Sequence, residues 1–425
     1  MKGHTLSDTF LAPPTADSAE LHATFEPIFA RVAAGSAERE NGRVLPHEQV
    51  RLVTDAGFGR VRIPVERGGF GASLQQTFEL LADLGAADPN VAHVFRNHLA
   101  FVEDRLGAEA TVANEAWIER FLAGEFVGGG WTEAGNGTLD DLKTFVTEED
   151  GGWEVTGAKF YATGSLYADW LDVLGQGPDG APLTALVRVD QPGVTVIDDW
   201  TGFGQRATGS GSANYERAKA DRDNVIPLGE RSPYLAHFYQ EAMLSALAGI
   251  VAATQRDGIA ALKQRKRAYQ HAVTQTLTED PQLLQVIGRL SALGFGARAA
   301  LSASAATLDR VAEARLAGAD ETALKRELTD SNVAIAQAQV VIIDHALEAS
   351  TIVFDALGAS GVSERLRLDR HWRNARTLAS HNPRVYKERL LGDWVVNGND
   401  PLDAYGVGSV AAAPAGSASL YASQS

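Results

Sequence analysis

Tyr161, Ala162 and Thr163 place an aromatic ring, a small side chain and a hydroxyl in succession. An aromatic face can stack on a flat ring system, and a hydroxyl two residues on can hydrogen-bond that system's edge. A flat redox cofactor needs both. The three residues lie within the run from Trp153 to Trp170, where Trp153, Val155, Lys159, Tyr161 and Thr163 alternate with smaller or oppositely facing residues. A period of two marks strands. The run reads as two antiparallel strands around a tight turn at Thr156-Gly157, then a break, then a third strand.

Two of the 10 histidines invite a chemical reading. His98 follows Arg96-Asn97 on a helix. His381 follows Ser380 and precedes Asn382-Pro383, where a helix must end or bend. A lone histidine in a helix is more often structural than chemical. The stretch Gly204-Gln205-Arg206, then Thr208 to Ser212, reads as a glycine-rich turn with many hydroxyls. Gly175, Gly177 and Gly180 fit the spacing GxGxxG, but they enclose the turn sequence Pro178-Asp179-Gly180 and no helix follows, so a dinucleotide fold is rejected. The P-loop, HExxH and GxSxG signatures are absent, which removes the commonest NTPase, zinc protease and hydrolase readings. With 0 cysteines, disulfides, thiolate chemistry and cysteine-ligated metals are excluded. No metal site is expected.

The elements that must position these residues fall into distinct regions. The chain of 425 residues is long enough for two to four domains at roughly 100–200 residues each. Residues 1–125 read as an N-terminal helical domain, behind a polar, proline-containing leader over 1–17. Residues 126–230 turn glycine-rich with short alternating runs, a β domain of about seven or eight strands. Residues 231–400 return to long helices with few breakers, a helical bundle. Residues 401–425, rich in Ala, Ser and Gly, read as a flexible tail. The net charge of −16 argues against a general nucleic-acid surface. Basic residues cluster nevertheless, Arg256 to Arg267 in one stretch and Arg365 to Arg376 in another, as a bound phosphate would require. Solvated helix faces explain such clusters equally well. The N-terminus lacks the apolar core of a signal peptide, and the apolar run around Ala242 to Ala253 is short and small-residue rich. No membrane association and a cytoplasmic location are expected.

Several segments, in order, resemble the acyl-CoA dehydrogenase superfamily over about residues 20–398. They are Ala56-Gly57-Phe58, Ile63-Pro64, Gly68 to Gly71, Trp131-Thr132-Glu133, Lys159 to Thr163 and Leu228-Gly229. The resemblance implies an α+β, mostly α fold: an N-terminal helical domain, a central β-barrel and a C-terminal four-helix bundle, assembled as a homotetramer. It also implies that the Thr132 region lines a flavin, that Tyr161 packs on the isoalloxazine and that Thr163 bonds near its N5.

Where the dehydrogenases carry a catalytic Glu, the chain reads Arg376-Thr377-Leu378-Ala379-Ser380-His381-Asn382-Pro383, without a carboxylate. That stretch, with Asn374 to Thr377 before it and Trp200 ahead of Gly204-Gln205-Arg206, is similar instead to the flavin-dependent monooxygenase branch of the superfamily. The branch implies a two-component enzyme. A separate NAD(P)H:flavin reductase delivers reduced flavin (FMN, with FAD an alternative), which reacts with O2 through a C4a-(hydro)peroxyflavin. His98, His381 and Thr163 would be catalytic. Thr132, Tyr161, Thr163, Trp200 and Arg267 would bind the cofactor, Arg267 at its phosphate. The substrate would be a small molecule, an organosulfur compound first, an amine or an aromatic ring otherwise. The alternatives are an FAD-dependent acyl-CoA dehydrogenase with another base, or a non-catalytic helical binding protein.

Overall fold

The computed structural model describes residues 9–133, 142–149 and 152–404. Local signals in the first part start the helices where they stand. Asp17 caps α1 (Ser18–Ala33) by accepting from the Glu20 amide. A capping box between Ser73 and Gln76 opens α4 (Leu74–Ala87). The shorter helices α2 (Ser36–Gly42) and α3 (His47–Asp55) lie between them. Asp88 then closes α4 and caps α5 (Pro89–Leu106), whose first residue is a proline that has no amide to leave unpaired.

Helix α5 is buried from Asn90 to Leu106. A helix hidden on all sides is ordinarily apolar, yet this one carries His93, Arg96, Asn97, His98, Glu103, Asp104 and Arg105. Each buried polar group needs a partner, and the partners come from every other layer. Glu103 pairs with Arg62 at 2.8 Å. Asp104 receives Arg231 at 2.6 Å, and Arg231 in turn reaches Asp172 at 3.0 Å and Thr184 at 2.7 Å. Burial opposes the charge on Arg231, but the two carboxylates outweigh it and raise its pKa. The last helix of this part is α6 (Val112–Leu122).

Where it is described, the leader expected over residues 1–17 packs against the helical domain. Thr9 bridges to Glu109, and Phe10 and Leu11 are buried beside Phe101, Val102 and Trp117. Hiding each of these two side chains is worth about 1.5–3 kcal/mol, enough to hold a polar segment down.

Among the described residues eight strands follow: β1 (Val127–Gly130), β2 (Phe145–Glu149), β3 (Gly152–Lys159), β4 (Trp170–Gln176), β5 (Pro182–Arg188), β6 (Val194–Ile197), β7 (Ser212–Ala220) and β8 (Val225–Pro227). They form one mixed sheet in the order β6-β7-β3-β2-β4-β5-β8, with β1 parallel to β4. The sheet curls around a single core of Val146, Val155, Leu171, Val173, Ala185, Val187 and Tyr215. Among the described residues β6 and β8 are not paired, so hydrogen bonds do not close the expected barrel there.

The glycine triplet Gly175-Gly177-Gly180 spans the β4–β5 hairpin, and Gly180 donates to the Gly177 carbonyl at 3.0 Å. Thr156-Gly157, by contrast, is not a turn. Strand β3 runs through it, and the register with β7 slips between Val155 and Gly157 as a bulge. Gly157 has φ 149°, and a Cβ there would lie 2.6 Å from the Thr144 Cα. The glycine serves a close approach. The link between β2 and β3 falls at Asp150-Gly151, outside the described residues.

The last part is built on α7 (Leu235–Gln264), α8 (Pro281–Leu316) and α9 (Glu321–Leu357), of 30, 36 and 37 residues, with α10 (Asp369–Ala379) and α11 (Arg384–Asn397) against α9. Helices α4 and α7 touch through glycine. A Cβ on Gly249 would sit 2.5 Å from the Ala82 carbonyl oxygen, which explains the small residues of the Ala242–Ala253 run. Among the described residues no helix is long and apolar enough to cross a membrane. The tail expected over 401–425 lies, from residue 405 on, outside the described residues.

Arg231 joins α5, β4 and β5 at one fully buried point. Arg231→Met should lower stability by about 3–5 kcal/mol, because Asp104 and Asp172 would stay buried without their cation. Urea unfolding checks this, and an unshifted midpoint would deny the network its structural role.

Candidate active site

Three residues of α5 at helical spacing face one place: His93, Arg96 and Asn97. Asn97 donates through Nδ2 to the Thr163 carbonyl at 3.1 Å. Arg96 donates to the Tyr239 carbonyl at 3.1 Å and lies 4.5 Å over that ring. His93 Nδ1 meets Gln205 Oε1 at 3.2 Å. With the amide oxygen facing Nδ1, the imidazole carries its proton there and leaves Nε2 bare. Among the described residues neither His93 Nε2 nor Gln205 Nε2 has a hydrogen-bond partner. Burial first, then the charge of Arg96, pushes the His93 pKa down to about 3, against the pull of Gln205.

Gln205 stands at the centre of this cluster. Its backbone is left-handed at φ 51°, and its amide donates to Asn374 Oδ1 on α10 at 2.6 Å. Gly204 makes the approach possible, since a Cβ there would fall 2.1 Å from the Arg373 carbonyl oxygen. From Gln205 a row of hydroxyls runs back to the sheet. Thr208 Oγ1 donates to the Gln205 carbonyl at 2.9 Å, Thr208 meets Ser210 at 2.7 Å, and Ser210 meets Thr163 at 2.8 Å.

Thr163 is therefore held on every side. Its carbonyl accepts from Gly129 and Asn97, and its amide donates to Tyr161. Tyr161 is left-handed at φ 55°, a conformation that costs a non-glycine residue about 1–3 kcal/mol. The strain is fixed by its neighbours: Phe160 donates to the Thr132 carbonyl at 2.8 Å and Ala162 to Gly211 at 3.0 Å. The result is a Tyr161 ring that remains 52% exposed, edge-on to Trp200 at 5.7 Å. Phe203 and Trp372 stack at 5.9 Å nearby in sequence to Trp200 and Asn374.

His381 follows α10 and its turn is pinned. Asn382 donates to Gln240 on α7 at 2.7 Å and accepts from Gln339 on α9 at 2.7 Å. His381 is exposed and lies in the field of Arg96 and His93. Desolvation first, then those two residues, holds its pKa well below the ordinary imidazole value.

His98 does not join this group. Its Nδ1 accepts from the Val127 amide at 3.2 Å and its Nε2 donates to the Gly59 carbonyl at 3.1 Å. It stacks on Phe126 at 4.6 Å and is 1% exposed. Both nitrogens are engaged by backbone, so the expectation of a proton-handling role is corrected: His98 is a brace between the Gly59 turn and β1. One step along a helix turns a side chain by about 100°, which carries His98 off the face shared by His93 and Asn97.

Arg267 is exposed beyond the end of α7. Helix α7 meets the site at Gln240, and Gln264 closes it 24 residues later, about 36 Å along the axis. Within one chain Arg267 is thus not brought to Thr163.

Residues 244–384 match the family model described as acyl-CoA dehydrogenase, C-terminal domain. A probable FMNH2-dependent monooxygenase of Pseudomonas putida is 27% identical over 390 residues, covering 89% of this chain and 95% of that protein. A dibenzothiophene monooxygenase of Rhodococcus qingshengii is 28% identical, covering 88% and 90%. The solved structure of a methanesulfinate monooxygenase from Pseudomonas fluorescens superposes with a TM-score of 0.80 at 25% identity, covering 89% and 97%. The chain shares its fold with these flavin-dependent monooxygenases, and residues 244–384 are similar to the C-terminal domain of acyl-CoA dehydrogenases.

Within an acyl-CoA dehydrogenase fold, the question is where a carboxylate base would stand. Helix α7 turns Gln240, an amide, toward Asn382. The adjacent Glu241 faces the bundle core instead, fully buried, accepting from Ser304 at 2.7 Å. Burial raises its pKa to about 8, against the pull of Ser304. A cleft of about 1270 Å³ between Thr9, Arg105, Val225 and Arg315 touches none of the site residues named above.

Buried histidines make the fold acid-sensitive. His93 and His237 are held at about 3, and His98 and His371 at about 4, in each case by burial first. These folded values lie below the unfolded value near 6.5. Their contribution is therefore full above pH 6.5 and is lost as the pH falls toward 4, by up to about 1.4 kcal/mol per histidine per pH unit. Glu241, raised in the folded state, acts in the opposite sense between 8 and about 4.5. The expected net result is a urea midpoint that drops between pH 6.5 and 5. A flat profile would mean that these rings are not held neutral.

Proposed function

We propose that the protein is a two-component flavin-dependent monooxygenase, which takes reduced FMN from a separate NAD(P)H:flavin reductase and uses O2 to oxygenate a small organic molecule. The observation that carries this reading is the juxtaposition beyond β3: a half-exposed Tyr161 face, the fixed Thr163 hydroxyl, and a neutral histidine with a bare ring nitrogen behind them. A flat ring fits against the first, its polar edge against the second. The FMNH2-dependent relative in Pseudomonas putida and the dibenzothiophene and methanesulfinate enzymes support the cofactor and favour an organosulfur substrate.

Reduced FMN, when bound, supplies the two electrons that split O2, one atom passing to substrate and the other leaving as water. The protein's part is position and proton control. Thr163 would hold the ring edge and Tyr161 and Trp200 would wall the pocket, with the Thr132 segment alongside. His381, neutral at pH 7, would accept and return a proton beside the reacting oxygen. Gln240 stands where α7 reaches the site, and with Glu241 turned into the bundle the dehydrogenase alternative lacks its base there.

The test is to mix the protein with anaerobic FMNH2, then with ¹⁸O2-saturated buffer and dibenzothiophene or methanesulfinate. Slowed reoxidation in stopped flow and one ¹⁸O atom in product are expected. Reoxidation at the free-solution rate would end the proposal. In the same assay His381→Ala should cut product by about 10²-fold while FMNH2 still binds.

Arg267 and the homotetramer go together in this reading. An exposed arginine beyond the far end of α7, which runs about 36 Å from Gln240 to Gln264, would serve the flavin phosphate in a neighbouring copy. Arg267→Ala should weaken FMNH2 binding about tenfold, the order of a lost charge-assisted contact, without changing the monomer's melting. Equal affinity would remove Arg267 from the site.

A further inference from the structure

The row of hydroxyls behind Thr163 has a direction. A carbonyl can only accept, so the Thr208 hydroxyl proton goes to the Gln205 carbonyl. The Thr208 oxygen, 2.7 Å from Ser210, must then accept from Ser210. Ser210 has spent its one proton, so at 2.8 Å it accepts from Thr163. Among the described residues the one other acceptor near the Thr163 hydroxyl is the Tyr161 carbonyl at 3.5 Å, which is at the limit of a hydrogen bond and already receives the Thr163 amide at 2.8 Å. All three hydroxyl residues are buried, so water does not readily reset the order.

Thr163 is thereby left with lone pairs and no proton to offer. We infer that Ser210 and Thr208 are positioning residues that make the Thr163 hydroxyl an obligate acceptor, so that the site selects reduced over oxidised flavin. The inference rests on the flavin reading above. Reduced flavin carries a hydrogen on N5 and donates there. Oxidised flavin presents a bare N5 that only accepts, and two acceptors face to face repel. The redox state of the ligand is read by the polarity of a three-hydroxyl chain anchored on a backbone carbonyl. Release of the spent cofactor follows from the same contact, since oxidation removes the N5 proton.

The experiment measures dissociation constants of FMN and of anaerobic FMNH2 by titration calorimetry for the wild type, Ser210→Ala, Thr208→Val and Thr208→Ser. The wild type is expected to bind FMNH2 at least tenfold more tightly. Ser210→Ala and Thr208→Val free the Thr163 proton, so the ratio should fall about tenfold, chiefly because oxidised FMN binds better. The two-electron midpoint potential of the bound flavin should fall with it, by about 30 mV per tenfold. Thr208→Ser keeps the hydroxyl and should keep the ratio. A merely structural role would weaken both redox forms alike. An unchanged ratio in Ser210→Ala and Thr208→Val, with flavin bound, overturns the inference and leaves the monooxygenase reading standing. A wild type that binds neither form overturns both.

Discussion

The structure depends on one buried helix that is polar. Helix α5 has no exposed face along Asn90 to Leu106, and the unpaired burial of any one of its charged or amide side chains would cost several kcal/mol. Its partners are Arg62 from the helical part, Thr163 and Gly59 from turns, Tyr239 and Arg231 from around the start of α7, and Gln205 from the β6–β7 loop. Satisfying α5 therefore fixes the sheet against both helical layers. Apolar packing alone would tolerate sliding, whereas a set of directional bonds between 2.6 and 3.2 Å does not.

The same helix divides its labour by face. Its Glu103 and Asp104 end is a structural lock, closed by Arg62, Arg231 and Tyr234. Its His93, Arg96 and Asn97 face backs the site. The loop from Trp200 to Gly211 closes over that face because Gly204 leaves room for the Arg373 carbonyl, Gln205 takes a left-handed backbone, and Asn374 receives the Gln205 amide. Helix α10 is held in turn by Asp257 on α7, which contacts Arg370 and His371. Positioning thus passes from the long bundle helices through α10 and the loop to a single threonine.

What the site offers a ligand is polarity as much as shape. The strained Tyr161 presents its face, the hydroxyl row fixes which way Thr163 points its proton, and the neighbouring imidazoles are neutral because burial and Arg96 keep them so. In the proposed reading the arrangement would hold a flat ring, take a proton and give it back. It lacks, at the Gln240 position, the carboxylate that α-proton abstraction would require.

The sequence by itself determined the three regions of secondary structure, the Pro178–Gly180 hairpin, the Tyr161–Thr163 end of the β3 segment and the family resemblance, because each is written in short-range periodicity, turn chemistry or ordered motifs. It misplaced what short range cannot decide. Thr156-Gly157 has turn composition but serves a bulge against Thr144. His98 and His93 look alike in sequence, and a rotation about the helix axis makes one a brace and the other part of the site. Helical spacing, with His93 four residues before Asn97, was the signal available for the second. The Gln205–Asn374 contact joins residues 169 apart, and the hydroxyl row joins Thr163 to Ser210 across 47. Only the tertiary structure decided these, and which end of α7 meets the site, because hydrogen-bond direction and through-space distance belong to the packed layers and not to the order of residues.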